Sequence, residues 1–157
     1  MDFIMKILTN PFLLTSLSSW FAAQVLKVLI HLAVNGKLVW ERLVGDGGMP
    51  SGHSATVASL ATISALRCGP DSIEFAICAI LAIIVCHDAT GVRQETGKQA
   101  VIINEIMKTF ESLAEKKLPK VDLKEFVGHT PLQVAVGILI GIANGCLMHY
   151  WILNWLL

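Results

Sequence analysis

Four short polar stretches interrupt an otherwise oily chain of 157 residues. Pro50-Ser51-Gly52-His53-Ser54 and Gly128-His129-Thr130-Pro131 each place a histidine where an apolar stretch begins. His87-Asp88-Ala89-Thr90-Gly91-Val92-Arg93 follows the end of another, and Lys27, His31 and Lys37 close a fourth. These side chains suit phosphoryl chemistry. A guanidinium can grip two phosphoryl oxygens at once. An imidazole nitrogen can attack phosphorus, and a second imidazole can protonate the leaving oxygen near neutral pH. The free N–H groups of a helix N-terminus favour an anion. The scheme needs no metal; His87-Asp88, the nearest metal-like signal, lacks a fitting third ligand. It needs no cofactor either, and vanadate enters only as a mimic of phosphate.

The elements that must position these residues are apolar helices. The composition is 54% hydrophobic and 15% charged, with mean hydropathy +0.64, against about 25% charged in an ordinary soluble domain. Long apolar runs with so little charge describe an integral membrane protein. The formal net charge of zero gives no sign of a nucleic-acid surface, and Met1–Asn10 is too mixed for a secretory signal. Four candidate spans follow: Pro11–Val34, Ser51–Leu66, Ser72–His87 and Thr130–Leu157, each near the ~20 residues that cross a bilayer. The second is built of small residues (Ala55, Ala58, Ser59, Ala61, Ser64, Ala65) and is expected to be surrounded by other helices. The fourth carries Gly137, Gly141 and Gly145 on one face, a spacing that lets helices approach closely. Tyr150, Trp151 and Trp155 fit an interfacial belt. Cys68, Cys78, Cys86 and Cys146 form no CxxC pair and read as packing residues.

Between the third and fourth spans lies the polar segment Gln94–Val127. Val101, Ile102, Ile106, Phe110 and Leu113 recur at helical spacing there, which reads as an amphipathic helix of about four turns at the interface. The expectation is an all-α membrane helical bundle of about four transmembrane helices plus this interfacial helix. Residues 1–157 then form a single membrane-embedded domain, with 94–127 an insertion. An up-and-down threading brings all four polar stretches to one end. That end and the segment after it hold Lys27, Lys37, Arg42, Arg93, Lys98, Lys108, Lys116, Lys117, Lys120 and Lys124, against Lys6 and Arg67 at the other. The bias places the motif end in the cytoplasm.

"GGMPSGHSA", "DATGVRQETGKQA" and "GHTPLQVAVG", in that order, resemble the divergent membrane branch of the type-2 phosphatidic acid phosphatase and vanadium haloperoxidase superfamily. The resemblance covers nearly the whole chain and implies an acid phosphatase-like domain. By position it makes His129 the nucleophile that forms a phosphohistidine and His53 the acid that protonates the leaving group. It assigns Ser51 and Gly52 to the phosphate-cradling turn and Arg93 to the phosphate-binding arginine. Lys27 stands for the first-motif lysine, with Arg42 a weaker match for its arginine. Lys98 and Gln99 resemble residues of the middle block. The chain departs from the pattern in three ways. Arg93 and His129 are 36 positions apart rather than six, so they meet only if the insertion folds out as a hairpin. The lysine-to-arginine-proline pattern of the first motif is absent. The carboxylate expected four residues after the nucleophile is Gln133, which can fix a tautomer but supplies no charge; Asp88 is the candidate substitute.

Each assignment has a structural alternative. His53, Ser51 and His129 can be helix caps, Arg93 can satisfy carbonyls or pair with Asp88, and Lys27 can snorkel. Two functions compete. One is a membrane phosphatase acting on a lipid or isoprenoid phosphate or diphosphate. The other is a catalytically degenerate protein that binds phosphate or lipid headgroups. Halide oxidation would need further basic ligands that the sequence does not place. The glycine stripe and the weakly apolar second span suggest burial beyond four helices, hence a homodimer.

Overall fold

A computed structural model describes residues 2–36, 38, 48–114, 123 and 127–152; Lys37, Arg42, Trp155 and the lysines between 116 and 124 lie outside them. The described residues form helices and no strand: α1 (Asp2–Leu8), α2 (Pro11–Asn35), α3 (Gly52–Cys68), α4 (Ile73–Thr90), α5 (Val92–Ala114) and α6 (Pro131–Leu147), which ends in a π-helical turn, Met148–Ile152. The chain is an all-α membrane helical bundle. Among the described residues, three helical stretches are long and apolar enough to cross a bilayer: Pro11–Asn35, Ile73–Leu113 and Pro131–Trp151.

Local signals set the helix ends. Asn10 caps α2 by accepting from the amides of Phe12 at 2.9 Å and Leu13 at 3.2 Å. Pro11 supplies the first helical φ. Gly36 ends the helix at φ 65°, its amide donating to Leu32 O. Ser51, Ser72 and Thr130 cap α3, α4 and α6 through their hydroxyls. A single residue, Gly91, separates α4 from α5, so the polar helix begins at Val92, earlier than its apolar periodicity indicates. Arg93, Gln94, Glu95, Lys98, Gln99 and Ala100 favour helix and carry it through Val92, Thr96 and Gly97, and only Gly91 departs from helical backbone. Arg93 thus sits on the first turn of α5 rather than at the end of α4.

Burial is inverted relative to a soluble protein. Leu17, Phe21, Leu29, Ile77, Ile83 and Leu139 are exposed, whereas Thr15, Ser19, Gln24, Lys27, Ser54, Ser59 and Ser64 are buried. Apolar side chains facing outward gain nothing by leaving a hydrocarbon solvent, so the helices associate through small residues and hydrogen bonds. α3 lies at the centre, touching α2, α4 and α6, as its small residues require. At 17 residues it is about 26 Å long, a little under the ~30 Å hydrocarbon thickness.

The glycine stripe is used inside the chain. A Cβ at Gly137 would lie 2.5 Å from Ser51 O, and one at Gly141 2.5 Å from Ala55 O. At Gly145 it would lie 2.8 Å from the Thr62 side chain. The contacts advance in step along both helices, so α3 and α6 run parallel with their N-termini at one end. α2 runs the other way: Gly52 faces Trp20 and Gln24, while Asn144 Nδ2 reaches Thr15 O, Ser18 Oγ and Ser19 Oγ at 3.2, 2.9 and 2.8 Å. α4 also runs opposite to α3, with Ser64 Oγ 3.3 Å from Cys78 Sγ. On α5, Gly97, Ala100 and Asn104 are buried, while Ile102, Ile106, Phe110 and Leu113 make an exposed apolar stripe, as an interfacial helix presents.

Candidate functional site

Three backbone contacts join the motif stretches. The amide of Ser51 donates to Gln133 O at 3.1 Å, which ties the start of α3 to the first turn of α6. The amide of His129 donates to Ala89 O at 2.9 Å, which ties the approach to α6 to the end of α4. Gly128, at φ 88°, lies so close to the start of α5 that a Cβ there would fall on the backbone of Arg93 and Gln94. Leu123 is held by Asn104 of α5. Asn104 Nδ2 donates to Leu123 O at 2.9 Å, and its Oδ1 accepts from Leu123 N at 3.2 Å. The backbone of Arg93 therefore lies beside that of Gly128 despite the intervening residues.

His129 is the buried member of the histidine pair, 4% exposed, whereas His53 is exposed. Their ring centroids are 6.4 Å apart at a 58° tilt. The environment of His129 fixes its tautomer. Gln133 Oε1 accepts the Thr130 amide at 3.1 Å and lies 3.2 Å from His129 Nδ1. A backbone N–H donates only to an acceptor, so that atom is the amide oxygen, and the ring nitrogen facing it carries the hydrogen. With Nδ1 protonated, Nε2 is the basic nitrogen. Thr130 Oγ1 in turn accepts the Gln133 amide at 3.4 Å. The capping box that starts α6 and the lock on the imidazole are thus one structure.

Ser51 is fully buried, its Oγ accepting from Ser54 Oγ at 2.9 Å and from Ser54 N at 3.3 Å. Gly52 follows as the first residue of α3, whose N-terminus opens at the same end as that of α6. Lys27 is buried in α2 at 4% exposure, one turn beyond Gln24, which packs on Gly52. Arg93 Nε donates to Asp88 Oδ2 at 2.6 Å, with side chains 47% and 40% exposed. Lys98 Nζ contacts Glu95 Oε1 at 2.6 Å, again in solvent. A cavity of about 300 Å³ opens between α5 and α6; Gln94, Gly97, Lys98, His129 and Gln133 line it. His53, Asp88, Arg93 and Lys27 are not among its lining residues.

A sequence model of the divergent PAP2 family matches residues 8–144. The chain belongs to this family. It is also 44% identical over 157 aligned positions, 94% of this chain and 99% of the relative, to a Bacillus subtilis (strain 168) protein named "Uncharacterized membrane protein YuiD". No solved structure gives a significant match.

In this divergent PAP2 chain the site includes residues that motif reading did not select. Gln94 lies within the quoted middle block and lines the cavity, whereas Gln99, five positions on, does not. Gln24 had a signal that went unused: it is a polar residue in an apolar run, three positions before Lys27 and therefore on the same helical face. Asn104, in the amphipathic segment, is buried and brackets the backbone of Leu123.

Proposed function

We propose that this divergent PAP2 protein is a membrane phosphohydrolase acting on a lipid or isoprenoid phosphate or diphosphate, with His129 as nucleophile and His53 as acid and base. The observation that carries this reading is the Thr130–Gln133–His129 arrangement, which makes Nε2 basic beside a second imidazole. Nε2 attacks phosphorus while the bond to the leaving oxygen breaks, and the His53 imidazolium donates the proton that oxygen needs. Water then attacks phosphorus, giving its proton to His53; the new P–O bond forms as the P–N bond breaks, which releases inorganic phosphate and leaves His129 neutral again. The α3 N-terminus at Ser51 and Gly52, with Lys27, Lys98 and Arg93, supplies donors for the phosphoryl oxygens. Arg93 joins by leaving Asp88, a solvent-exposed pair of the kind that contributes only about 0.2–1 kcal/mol.

A hydrocarbon-linked substrate fits the surroundings. An apolar groove of about 530 Å³ runs between α3, α4 and α6, walled by Ala58, Ala61, Ala65, Ala79, Ala82 and Cys86. Cys86 is one turn below Ala89, the residue that holds the His129 amide. Ten of the twelve cations by sequence favour a cytoplasmic motif end; a reporter fused at Gly36 should read cytoplasmic. A homodimer would have to use a face other than the glycine stripe, and light scattering in mild detergent gives the mass that decides it.

The test is His129→Ala, with phosphate release measured from a panel of lipid phosphates. Turnover should fall by at least about 10³-fold, and acid-labile phosphohistidine should form in the parent alone. Equal turnover in the two proteins rejects the role. The second reading, a phosphate- or headgroup-binding protein without turnover, is favoured by Gln133 in the carboxylate's place and by the Asp88–Arg93 pair. It requires the parent to bind phosphate or vanadate and form no phosphohistidine.

A further inference from the structure

The cavity beside His129 takes four of its lining residues from α5: Gln94, Gly97, Lys98 and Val101. Their spacing, i, i+3, i+4 and i+7, makes them one stripe of that helix. Arg93 and Glu95 lie about 100° around the helix to either side of Gln94, and neither lines the cavity. His129 and Gln133 line it from the α6 side. The stripe is anchored at its first turn. A Cβ on Gly128 would lie 2.4 Å from the backbone nitrogen of Gln94, so Gln94 is seated against the residue that precedes His129. Gly97 is buried and brings no side chain, which leaves the space beside Gln94 and Lys98 open.

The lining specifies the ligand. Among the described residues that line the cavity none is acidic, and Lys98 brings an ammonium. The contact of Lys98 with Glu95 lies in solvent, where such pairs hold their partners weakly, so the ammonium can turn to a ligand. The Gln94 side chain makes no hydrogen bond among the described residues, so its amide is available to donate. An ammonium and an amide on successive turns, across a cavity from the buried imidazole of His129, suit an oxyanion. The cavity, about 300 Å³, holds roughly ten water volumes of ~30 Å³ each, room for a tetrahedral anion and the first atoms attached to it.

We propose that Gln94 binds the ligand directly: its side-chain NH2 donates to a phosphoryl oxygen held in the cavity between α5 and α6, beside Lys98. This rests on the phosphoryl reading of the site but not on turnover. Arg93, one position earlier, points from another face of α5 and is bound to Asp88 at 2.6 Å, so it must change partner before it joins. Gln94 needs no such exchange, because its backbone is fixed by Gly128 and its amide is uncommitted among the described residues.

The test uses the full chain purified in mild detergent, with Gln94→Leu removing the amide and Gln94→Glu keeping the side chain's shape while facing the anion with a carboxylate. Gln99→Leu is the control, a glutamine of the same helix that does not line the cavity. Calorimetry measures the affinity for inorganic phosphate and orthovanadate, and melting is followed with and without phosphate. Competition between phosphatidic acid in mixed micelles and inorganic phosphate assigns the anion to a lipid headgroup or to the free ion, and the loss in Gln94→Leu is expected for whichever binds. Gln94→Leu should bind about 10- to 100-fold more weakly, with its ligand-free melting temperature retained and its stabilisation by phosphate reduced. Gln94→Glu should lose at least as much, and Gln99→Leu should stay within two-fold of the parent. Where Gln94→Leu also melts earlier without ligand, Gln94→Glu decides, and parental affinity in that variant overturns the inference. Affinities within two-fold of the parent in both Gln94 variants, or an equal loss in Gln99→Leu, overturn it while the site reading stands. A parent that binds neither phosphate nor orthovanadate removes the site reading and this inference with it.

Discussion

Gln133→Glu restores the carboxylate that the resemblance leads one to expect, and the structure gives the size of the effect. Gln133 Oε1 accepts the Thr130 amide and lies 3.2 Å from His129 Nδ1. Glutamate keeps both interactions, so neither the helix cap nor the tautomer changes. In serine hydrolases, exchanging the carboxylate for an amide costs about 10⁴ in rate, largely because the tautomer goes wrong. Here the Thr130 amide already orients the glutamine oxygen, and only the missing charge remains to be recovered. A hydrogen bond to a charged group is worth about 1.5–3 kcal/mol, against about 0.5–1.5 for a neutral pair. The cationic phosphohistidine ring is therefore favoured by a further ~1–2 kcal/mol, or roughly 5- to 30-fold in kcat. The assay is phosphate release from a phosphatidic acid or prenyl phosphate micelle, with phosphohistidine quantified by acid lability. Gln133→Leu is the counterpart: it frees the ring and removes the capping box, lowering kcat and costing about 1 kcal/mol of stability. If Gln133→Glu leaves kcat unchanged or abolishes it while the melting temperature is retained, the ring nitrogen facing residue 133 is not the one that must carry the hydrogen. The nucleophile assignment then fails.

Two further outcomes test the frame around the site. Gly141→Ala should destabilise the detergent-solubilised protein by about 1–3 kcal/mol, because its Cβ would lie 2.5 Å from Ala55 O and 2.9 Å from Ser59 N; Leu139→Ala, on a 65% exposed side chain, should stay within about 0.5 kcal/mol. Equal melting temperatures for the two variants would show that α3 and α6 do not touch through this stripe. Asp88→Asn should cost no more than about 1 kcal/mol of stability and should raise the affinity for inorganic phosphate by releasing Arg93. A fall in affinity instead would give Asp88 a role in binding.

The sequence carried the helical architecture well, because each span is both apolar and punctuated. Pro11 as a helix start and Ser51 as a cap were read from residue type; the structure adds Asn10, Ser72 and Thr130 as caps, with Thr130 in the place where His129 was considered. The small residues of α3 forecast its central place for the same reason: they let backbones approach. What the glycines could not tell was the partner. Gly137, Gly141 and Gly145 suit a second copy and a neighbouring helix equally, and they pack on α3 of the same chain. The early start of α5 was hidden because apolar periodicity begins only at Val101, whereas the helix itself begins at Val92. The meeting of Arg93 with the approach to His129 depends on Asn104 and Gly128. Their roles rest on contacts with residues far along the chain, and no local pattern reveals such contacts. Gln24 was visible as a polar residue among apolar ones, but its unmet oxygen is a property of packing.

The two ends of the bundle are built differently, and the difference bears on where chemistry can occur. At the far end Asn144 ties α6 to Thr15, Ser18 and Ser19 of α2. Gly145 sits against Thr62 there. These groups satisfy one another within the helices. At the motif end the same three helices carry groups that point to something beyond themselves. They include an exposed His53 beside a buried His129, two helix N-termini, and the unpartnered Gln24 Oε1 next to Gly52. In hydrocarbon an unmet polar group is costly wherever it lies, and sequences retain such groups where they serve a ligand. Asn144 thus holds the helices in register at the far end, where His149 Nδ1 is also buried without a hydrogen-bond partner among the described residues, so what sets the motif end apart is the histidine pair beside two helix N-termini. On the proposed function, a lipid headgroup would reach the histidines at these helix ends while its chain stays in the bilayer.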